Sequence, residues 1–304
     1  MFVLTHSSIQ TFKNCRRAWY ARNVLKLVRT KKKQSRQLGS AFHRGLQTRD
    51  VAAALKLYDG VYPADQAEAD IIEIDKATVA AMLNGYFLRW PDEPLDGVPC
   101  VRREIKFEVP IVNPQTGALS RSFRFAGKVD GVKTTPRGLF LVEDKTAGKL
   151  ERSYIDRLPL DHQVTAYIHG LQRHYHHTQI TGVSYRIIRK PSIRPRQNES
   201  VQQFCDRLTR DYRERPDFYF VDEGLFRAES DLKEFEAELW QVTQDILTCR
   251  RRGLWYRNTS RCSEYGGCEY LLLCLGQDPE GLYVREEPNS ELKEEDDNGD
   301  TGDA

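Results

Sequence analysis

No apolar run in the 304-residue chain approaches the roughly 20 residues that span a bilayer, so no membrane contact is expected. The opening MFVLTHSSIQ lacks the basic start and apolar stretch of a signal peptide, which sets the expectation of a cytoplasmic protein. No GxxxxGK[ST] segment occurs, so the chain carries no P-loop motor of its own. There is no internal repeat, and nothing of low complexity before the tail. The seven cysteines include no closely spaced pair of the kind that marks most four-thiolate zinc sites. A chain of this length buries a hydrophobic core without disulfides, and thiols in a reducing compartment stay free to bind metal.

Charge is present in quantity and unevenly placed. Hydrophobic residues make up 39% and charged ones 30%, as in an ordinary soluble protein. Residues 276–304 hold eleven Asp or Glu against Arg285 and Lys293, which leaves 44 basic and 33 acidic residues, a net +11, on the first 275. A body that basic suits a polyanion, with nucleic acid the usual candidate and a merely soluble basic surface the alternative. Residues 286–304 read as an acidic disordered tail that competes with DNA for the basic body, or else as a plain solubilising segment.

Along the chain the hydrophobic period runs helix, then strand, then helix. Ser7 with Gln10 reads as a capping box that opens a helix containing Cys15. A basic stretch follows (Lys26, Arg29, Lys31, Lys32, Lys33, Arg36) and leads into a second helix striped by Leu38, Phe42 and Leu46. A third helix is expected over 64–90. From residue 101 the period drops to 2: Ile105, Phe107, Val109 and Ile111 alternate with polar residues, and Phe123, Phe125, Val129 and then Leu139–Val142 continue a three-strand meander turned at Pro136–Gly138. A helix over 161–176, a strand through Val183, Tyr185 and Ile187, and a long helix over 230–252 complete the pattern.

Chemistry concentrates where the strands end. GKVDGV at 127–132 places Asp130 at one strand end, and LFLVEDKTAGK at 139–149 places Glu143 and Lys145 at the next. Side chains alternate along a strand, so Glu143 and Lys145 share a face while Asp144 takes the other. Two carboxylates from neighbouring strand ends form a hard, oxygen-rich pocket suited to Mg2+ or Mn2+, which lowers the pKa of a bound water and polarises a phosphate. Lys145 beside them would orient the attacking water and offset transition-state charge. Alone, D followed by ExK also describes an exposed salt-bridged hairpin; apolar strands before both acids and the helix DHQVTAYIHGL at 161–171 favour the site. Glu104 is a further candidate, or an exposed strand carboxylate.

On these motifs the chain resembles the RecB-like branch of the PD-(D/E)XK nucleases, of the iron-sulfur type that includes AddB nuclease domains and the CRISPR-associated adaptation exonucleases. The likeness covers about residues 5–275 and is carried by GSAFHRGL at 39–46, Asp130, the Glu143–Lys145 pair, and Gln163 and Tyr167 as a Q-x-x-x-Y helix. It implies an α/β (α+β) restriction-endonuclease-like core, a central mixed sheet flanked by helices, with a helical iron-sulfur subdomain built from both termini. The expected layout is a nuclease domain over 1–285, with 1–35 and 250–276 as the cysteine-clamped part. His43, Asp130, Glu143 and the backbone carbonyl of Asp144 become metal ligands, and Gln163 and Tyr167 orient the lysine, the water or a phosphate.

The resemblance also gives the cysteines a role. Cys262, Cys268 and Cys274 follow a C-x5-C-x5-C spacing one ligand short of four, and Cys15 in FKNCRRAWY resembles the family's N-terminal ligand, although Arg16 stands where proline is frequent. Four thiolates suit a 4Fe-4S cluster; zinc, or separately buried thiols, are the alternatives. Such a cluster would close nearly the whole chain into a loop and so act as a structural clamp. Cys100, Cys205 and Cys249 are read as core residues.

The function implied is a divalent-metal-dependent DNA nuclease, bacterial or phage-encoded, acting as an exonuclease on single-stranded DNA or DNA ends in recombination, repair or CRISPR adaptation, with room for a helicase or recombination partner. A catalytically silent iron-sulfur DNA-binding subunit of a helicase-nuclease complex is the alternative. Lys31, Lys32, Lys33 and Arg36 are expected to track phosphates. Arg186, Arg189, Lys190, Arg194, Arg196 and Arg250–Arg252 extend the basic character, or are ordinary solvated faces. Trp255 and Tyr256 could stack on unpaired bases, with core packing the commoner use.

Overall fold

The computed structural model describes residues 1–30, 34–91, 101–135, 138–175, 179–263, 267–277, 281–289 and 292. Along the chain the elements are β1 (Phe2–Leu4), α1 (His6–Asn14), α2 (Arg16–Asn23), β2 (Leu27–Arg29), α3 (Gln34–Thr48), α4 (Val51–Leu55) and α5 (Gln66–Arg89). Then come β3 (Val101–Val112), β4 (Leu119–Thr135), β5 (Gly138–Ala147), α6 (Arg152–Asp156), α7 (His162–His174), β6 (Ile180–Arg189), α8 (Val201–Glu214), α9 (Pro216–Tyr219) and β7 (Phe220–Leu225). α10 (Glu229–Arg252), α11 (Leu271–Cys274) and β8 (Tyr283–Arg285) close the order. This is a mixed α/β protein with a mixed sheet ordered β1-β4-β5-β6-β7, in which β3 also pairs with β4. Among the described residues no helix is long and apolar enough to cross a membrane.

The chain divides into two compact units: residues 1–31, 106–128 and 229–304, and residues 32–105 and 129–228. In the first, β1 runs parallel to the leading part of β4, with Phe2 opposite Phe123 and Leu4 opposite Phe125. The first helix starts earlier than the expected Ser7 cap. Thr5 is the N-cap and its side chain accepts from the Ser8 N–H, so the Ser7–Gln10 capping box does not form. Cys15 is not inside that helix either: it is an extended residue (φ −157°) that ends α1 and begins α2. Trp19 is fully buried, and Trp255 stacks on it at 5.3 Å. Trp255 is therefore core rather than a platform for bases, while Tyr256 stays half exposed beneath the Arg16 guanidinium.

In the second unit the tail of β4 pairs antiparallel with β5, β5 runs parallel to β6, and β6 pairs antiparallel with β7. The expected stripe Leu38, Phe42 and Leu46 of α3 is buried and shares a core with α5, α8 and α9. α5 is buried nearly all round from Ala77 to Tyr86, so it is a central helix, and its contacts are less one-sided than a simple stripe suggests. Gly85 lets α8 approach: a Cβ there would lie 2.8 Å from Tyr212 Cβ. α8 and β7 lie in 190–228, a stretch with no expected element. α8 begins at a true capping box, with Ser200 and Gln203 bonded reciprocally, a device that contributes about 1 kcal/mol.

Candidate functional site

The second unit gathers the expected site residues at one end of β4 and β5. The β4–β5 pairing runs from Thr135 opposite Gly138 to Gly131 opposite Val142. One residue further on, the Asp130 carboxylate reaches across: its Oδ2 accepts the Asp144 N–H at 2.9 Å. The strands thus part where Asp130 and Glu143 face each other, and a side chain takes over the cross-strand hydrogen bond. Glu143 and Lys145 lie on one face of β5, in direct contact through carboxylate Oε1 and ammonium Nζ. Asp144 lies on the other face, fully buried. His43, which follows the buried Phe42 on α3, brings Nδ1 to 3.5 Å from Asp130 Oδ1.

α7 supplies the next side. Asp161 caps it, accepting from the Gln163 and Val164 N–H groups, and the buried stripe Val164, Ile168 and Leu171 fixes its roll. That roll turns Gln163 and Tyr167 together, with Gln163 Nε2 donating to the Tyr167 hydroxyl at 2.8 Å. Burial, reinforced by the Glu143 charge, holds the Tyr167 phenol protonated far above its ordinary range. The turn before α7 is tied down by Arg227, which donates to Thr165 Oγ1 at 2.7 Å and the Asp161 carbonyl at 2.9 Å.

The electrostatics are those of a side-chain cluster with surplus carboxylate. Glu143 is 3% exposed, and burial pushes its carboxyl up to about 8; Lys145 opposes the shift and the nearby Asp130 charge adds to it. Lys145 loses part of its own solvation, but Glu143 and Asp130 together hold it firmly as an ammonium. Asp130 and Glu143 are hard oxygen donors of the kind Mg2+ and Mn2+ take, and the His43 imidazole beside them is a softer nitrogen donor. Among the described residues, no group of three or more His, Cys, Asp or Glu side chains is arranged so that it could hold a metal ion. The reason at this place is visible: Lys145 takes up one Glu143 oxygen, and the Asp144 N–H takes up one of Asp130.

Two tyrosines belong to this end of the sheet and were not expected there. Tyr185 stands opposite Glu143 in the β5–β6 register, is buried, and meets the Tyr154 hydroxyl of α6 at 3.1 Å. The strand through Val183, Tyr185 and Ile187 was legible in sequence, but its register against β5 was not. Of the other candidates, Glu104 lies in β3 with φ 56°, a left-handed backbone within a strand. Lys31, Lys32 and Lys33 fall outside the described residues, as does the Arg36 side chain. Arg186 is not a surface contact: it is 3% exposed and bonded to Tyr86.

In the first unit Cys15, Cys262, Cys268 and Cys274 line one small cavity together with Arg257, Asn258 and Arg261. The Asn258 N–H donates to Cys15 Sγ at 3.4 Å, and Asn258 Nδ2 donates to the Asn14 carbonyl at 2.9 Å. Burial and the three neighbouring thiols push the Cys268 thiol up. Four crowded thiols resist ionising together unless something cationic holds them. Cys249 is buried and Cys205 partly so, and Cys100 lies outside the described residues.

A family model of the PD-(D/E)XK nuclease superfamily matches residues 3–275. The chain belongs to that superfamily. No curated protein sequence matches it. Among solved structures it is similar to the crystal structure of a "Putative exonuclease" from Eubacterium rectale, at 10% identity and a TM-score of 0.48, over 96% of this chain and 92% of that one. It is also similar to the crystal structure of SSO0001, at 12% identity and a TM-score of 0.27, over 70% and 75% of the two chains. Likenesses at these scores say nothing further about this chain.

A raised carboxyl makes a signed prediction. A proton held to about 8 in the folded protein but lost near 4.5 when unfolded stabilises the fold fully below pH 4.5, and that contribution is lost as pH rises to about 8. Without added metal, unfolding free energy should fall as pH rises over this window. The wild-type minus Glu143→Gln difference, measured by denaturant melts at several pH values, should carry that slope; a difference flat in pH would contradict it.

Proposed function

We propose that the chain is a divalent-metal-dependent deoxyribonuclease of the RecB-like, iron-sulfur type, acting as an exonuclease on DNA ends. The observation that carries this reading is the meeting of Asp130, Glu143, Lys145 and His43 where β4 and β5 part, in a chain of the PD-(D/E)XK superfamily. In the first unit, the four thiols sharing one cavity support the cluster.

Asp130, Glu143, the Asp144 carbonyl and His43 are the ligands in this reading. A bound Mg2+ or Mn2+ supplies Lewis acidity at the scissile phosphate and a more acidic water. With such an ion held, Glu143 would no longer be committed to Lys145, and the ammonium would be free to face the attacking water and the phosphate oxygens. Lys145 holds its proton throughout, so it acts by orientation and by offsetting the charge that builds on phosphorus. Tyr167, kept protonated and oriented by Gln163, offers a hydrogen-bond donor on the same side. Water adds to phosphorus as the ester P–O bond breaks, leaving one fragment with a phosphate and the other with a hydroxyl. The net positive charge of the first 275 residues suits a polyanion, and binding should weaken steeply with salt.

For the cysteines, the reading assigns a 4Fe-4S cluster with a structural role, held by Cys15 on one side and Cys262, Cys268 and Cys274 on the other. Arg257 and Arg261 at the cavity suit its negative charge. The clamp adds to contacts that already join the two segments, including the Trp19–Trp255 stack and the hydrogen bond from the Arg17 N–H to the Tyr256 carbonyl.

End-labelled single- and double-stranded DNA, digested with Mn2+ or Mg2+, tests the enzyme. Release of label should depend on metal and fall by about 10²- to 10³-fold or more in Asp130→Ala and Lys145→Ala; undiminished cleavage by those variants sinks the assigned site, and DNA binding without cleavage makes the chain a silent subunit. For the cluster, anaerobically purified protein should be brown and hold about four iron per chain. Cys268→Ala should lose both, along with thermal stability; one zinc per chain, or full stability without the colour, would overturn the structural cluster.

A further inference from the structure

The far face of the catalytic strand carries a buried charged network that none of the roles above uses. Asp144 stands between Glu143 and Lys145 and is 0% exposed. The Tyr86 hydroxyl of α5 donates to its Oδ1 at 2.8 Å, and Arg103 of β3 donates to its Oδ2 at 2.6 Å. The same hydroxyl accepts from Arg103 Nη2 at 3.0 Å and from Arg186 Nη1 of β6 at 2.7 Å. One proton and two lone pairs are all a phenol has, and all three are in use. Arg186 in turn lies 3.7 Å from Asp222 of β7 and covers the Trp90 ring at 4.7 Å. Two guanidinium groups and two carboxylates balance, drawn from four strands, with a helix supplying the hub.

Stability alone is a poor account of such a network. Replacing a buried ion pair with apolar residues of equal volume is commonly neutral or better. Aromatic packing is already at hand, since Tyr86 meets Phe42 at 5.9 Å and Trp90 at 4.8 Å. What sets Asp144 apart is the position of its backbone. Its N–H holds Asp130 Oδ2, and its two peptide bonds lead to Glu143 and Lys145. Three groups of the site therefore take their position from this one residue. A displacement of about 1 Å in a reacting group can cost on the order of 10²-fold in rate.

We propose that Tyr86 and Arg103, bonded to the Asp144 carboxylate, and Arg186, bonded to the Tyr86 hydroxyl, form a positioning network that locks β5 so that Asp130, Glu143 and Lys145 meet the divalent cation and the phosphate in register. It rests on the nuclease reading. None of the three touches DNA; each acts through the strand. The network also explains why a charged residue can stand in the middle of the E-x-K segment, at a place facing the core.

Tyr86→Phe removes only the hydroxyl and keeps the ring packing. Its kcat on end-labelled DNA at saturating Mn2+ should fall about 10- to 100-fold, with KM for DNA within about twofold. The Mn2+ dissociation constant of the DNA-free protein, read by the electron paramagnetic resonance of unbound Mn2+, should rise about tenfold. If Tyr86→Phe does not fold, Arg103→Lys, which keeps the charge but loses the forked contact, is read the same way. A lower melting temperature with unchanged kcat and Mn2+ affinity overturns the proposal, because that is what a purely structural network does. Asp130→Ala, run alongside, separates the two readings: if it still cleaves, the nuclease site itself is misassigned, and if it is inactive while Tyr86→Phe matches wild type, only the positioning network falls.

Discussion

Strand β5 carries charge on both faces over three consecutive residues, and the second unit is organised around satisfying it. Glu143 and Lys145 face the open end of the sheet, where they answer each other and Asp130. Asp144 faces the interior, where only fixed donors can satisfy a carboxylate that has lost all its water. Tyr86 of α5 and Arg103 of β3 bond the Asp144 carboxylate, Arg186 of β6 bonds Tyr86 in turn, and Asp130 of β4 accepts the Asp144 N–H. Removing one partner would strand a buried charge, so the arrangement is demanding of its neighbours in a way an apolar strand would not be.

That constraint also separates what was legible in the sequence from what was not. The alternation in LFLVEDK put Glu143 and Lys145 on one face and Asp144 on the other, and the structure has them so. The α3 stripe, the meander, α7 and α10 all follow from period alone. Local periodicity says nothing about partners distant in sequence: Tyr86 reaches Asp144 over 58 residues and Arg186 over 100. A buried acid beside a site demands a base, and the basic residues at 186 and 189 were visible, but they read as surface. Arg186 is in the core because it meets the Tyr86 hydroxyl there, with Asp222 3.7 Å away.

Smaller differences have equally local causes. Thr5 wins the first cap over Ser7 because β1 ends at Leu4, which leaves Thr5 extended as an N-cap must be. Cys15 breaks the helix it was expected to sit in, and this puts its thiol beside the segment 257–274. α8 and β7 went unseen because residues 190–200 are rich in proline and arginine and hide the onset of a new pattern. The C-x5-C-x5-C spacing is plain in the sequence, and its three thiols line one cavity with Cys15, whereas the hydrogen bonds of Asn258 to the α1–α2 junction have no sequence signal.

A nuclease site at the parting of β4 and β5 requires a divalent cation to bind there. Crystals soaked in Mn2+ and measured at the manganese absorption edge give the most direct reading. The strongest anomalous peak should lie against Asp130, Glu143 and the Asp144 carbonyl, within reach of His43, with Lys145 turned away from Glu143. A strongest peak elsewhere in the chain, or none at saturating Mn2+, would contradict it.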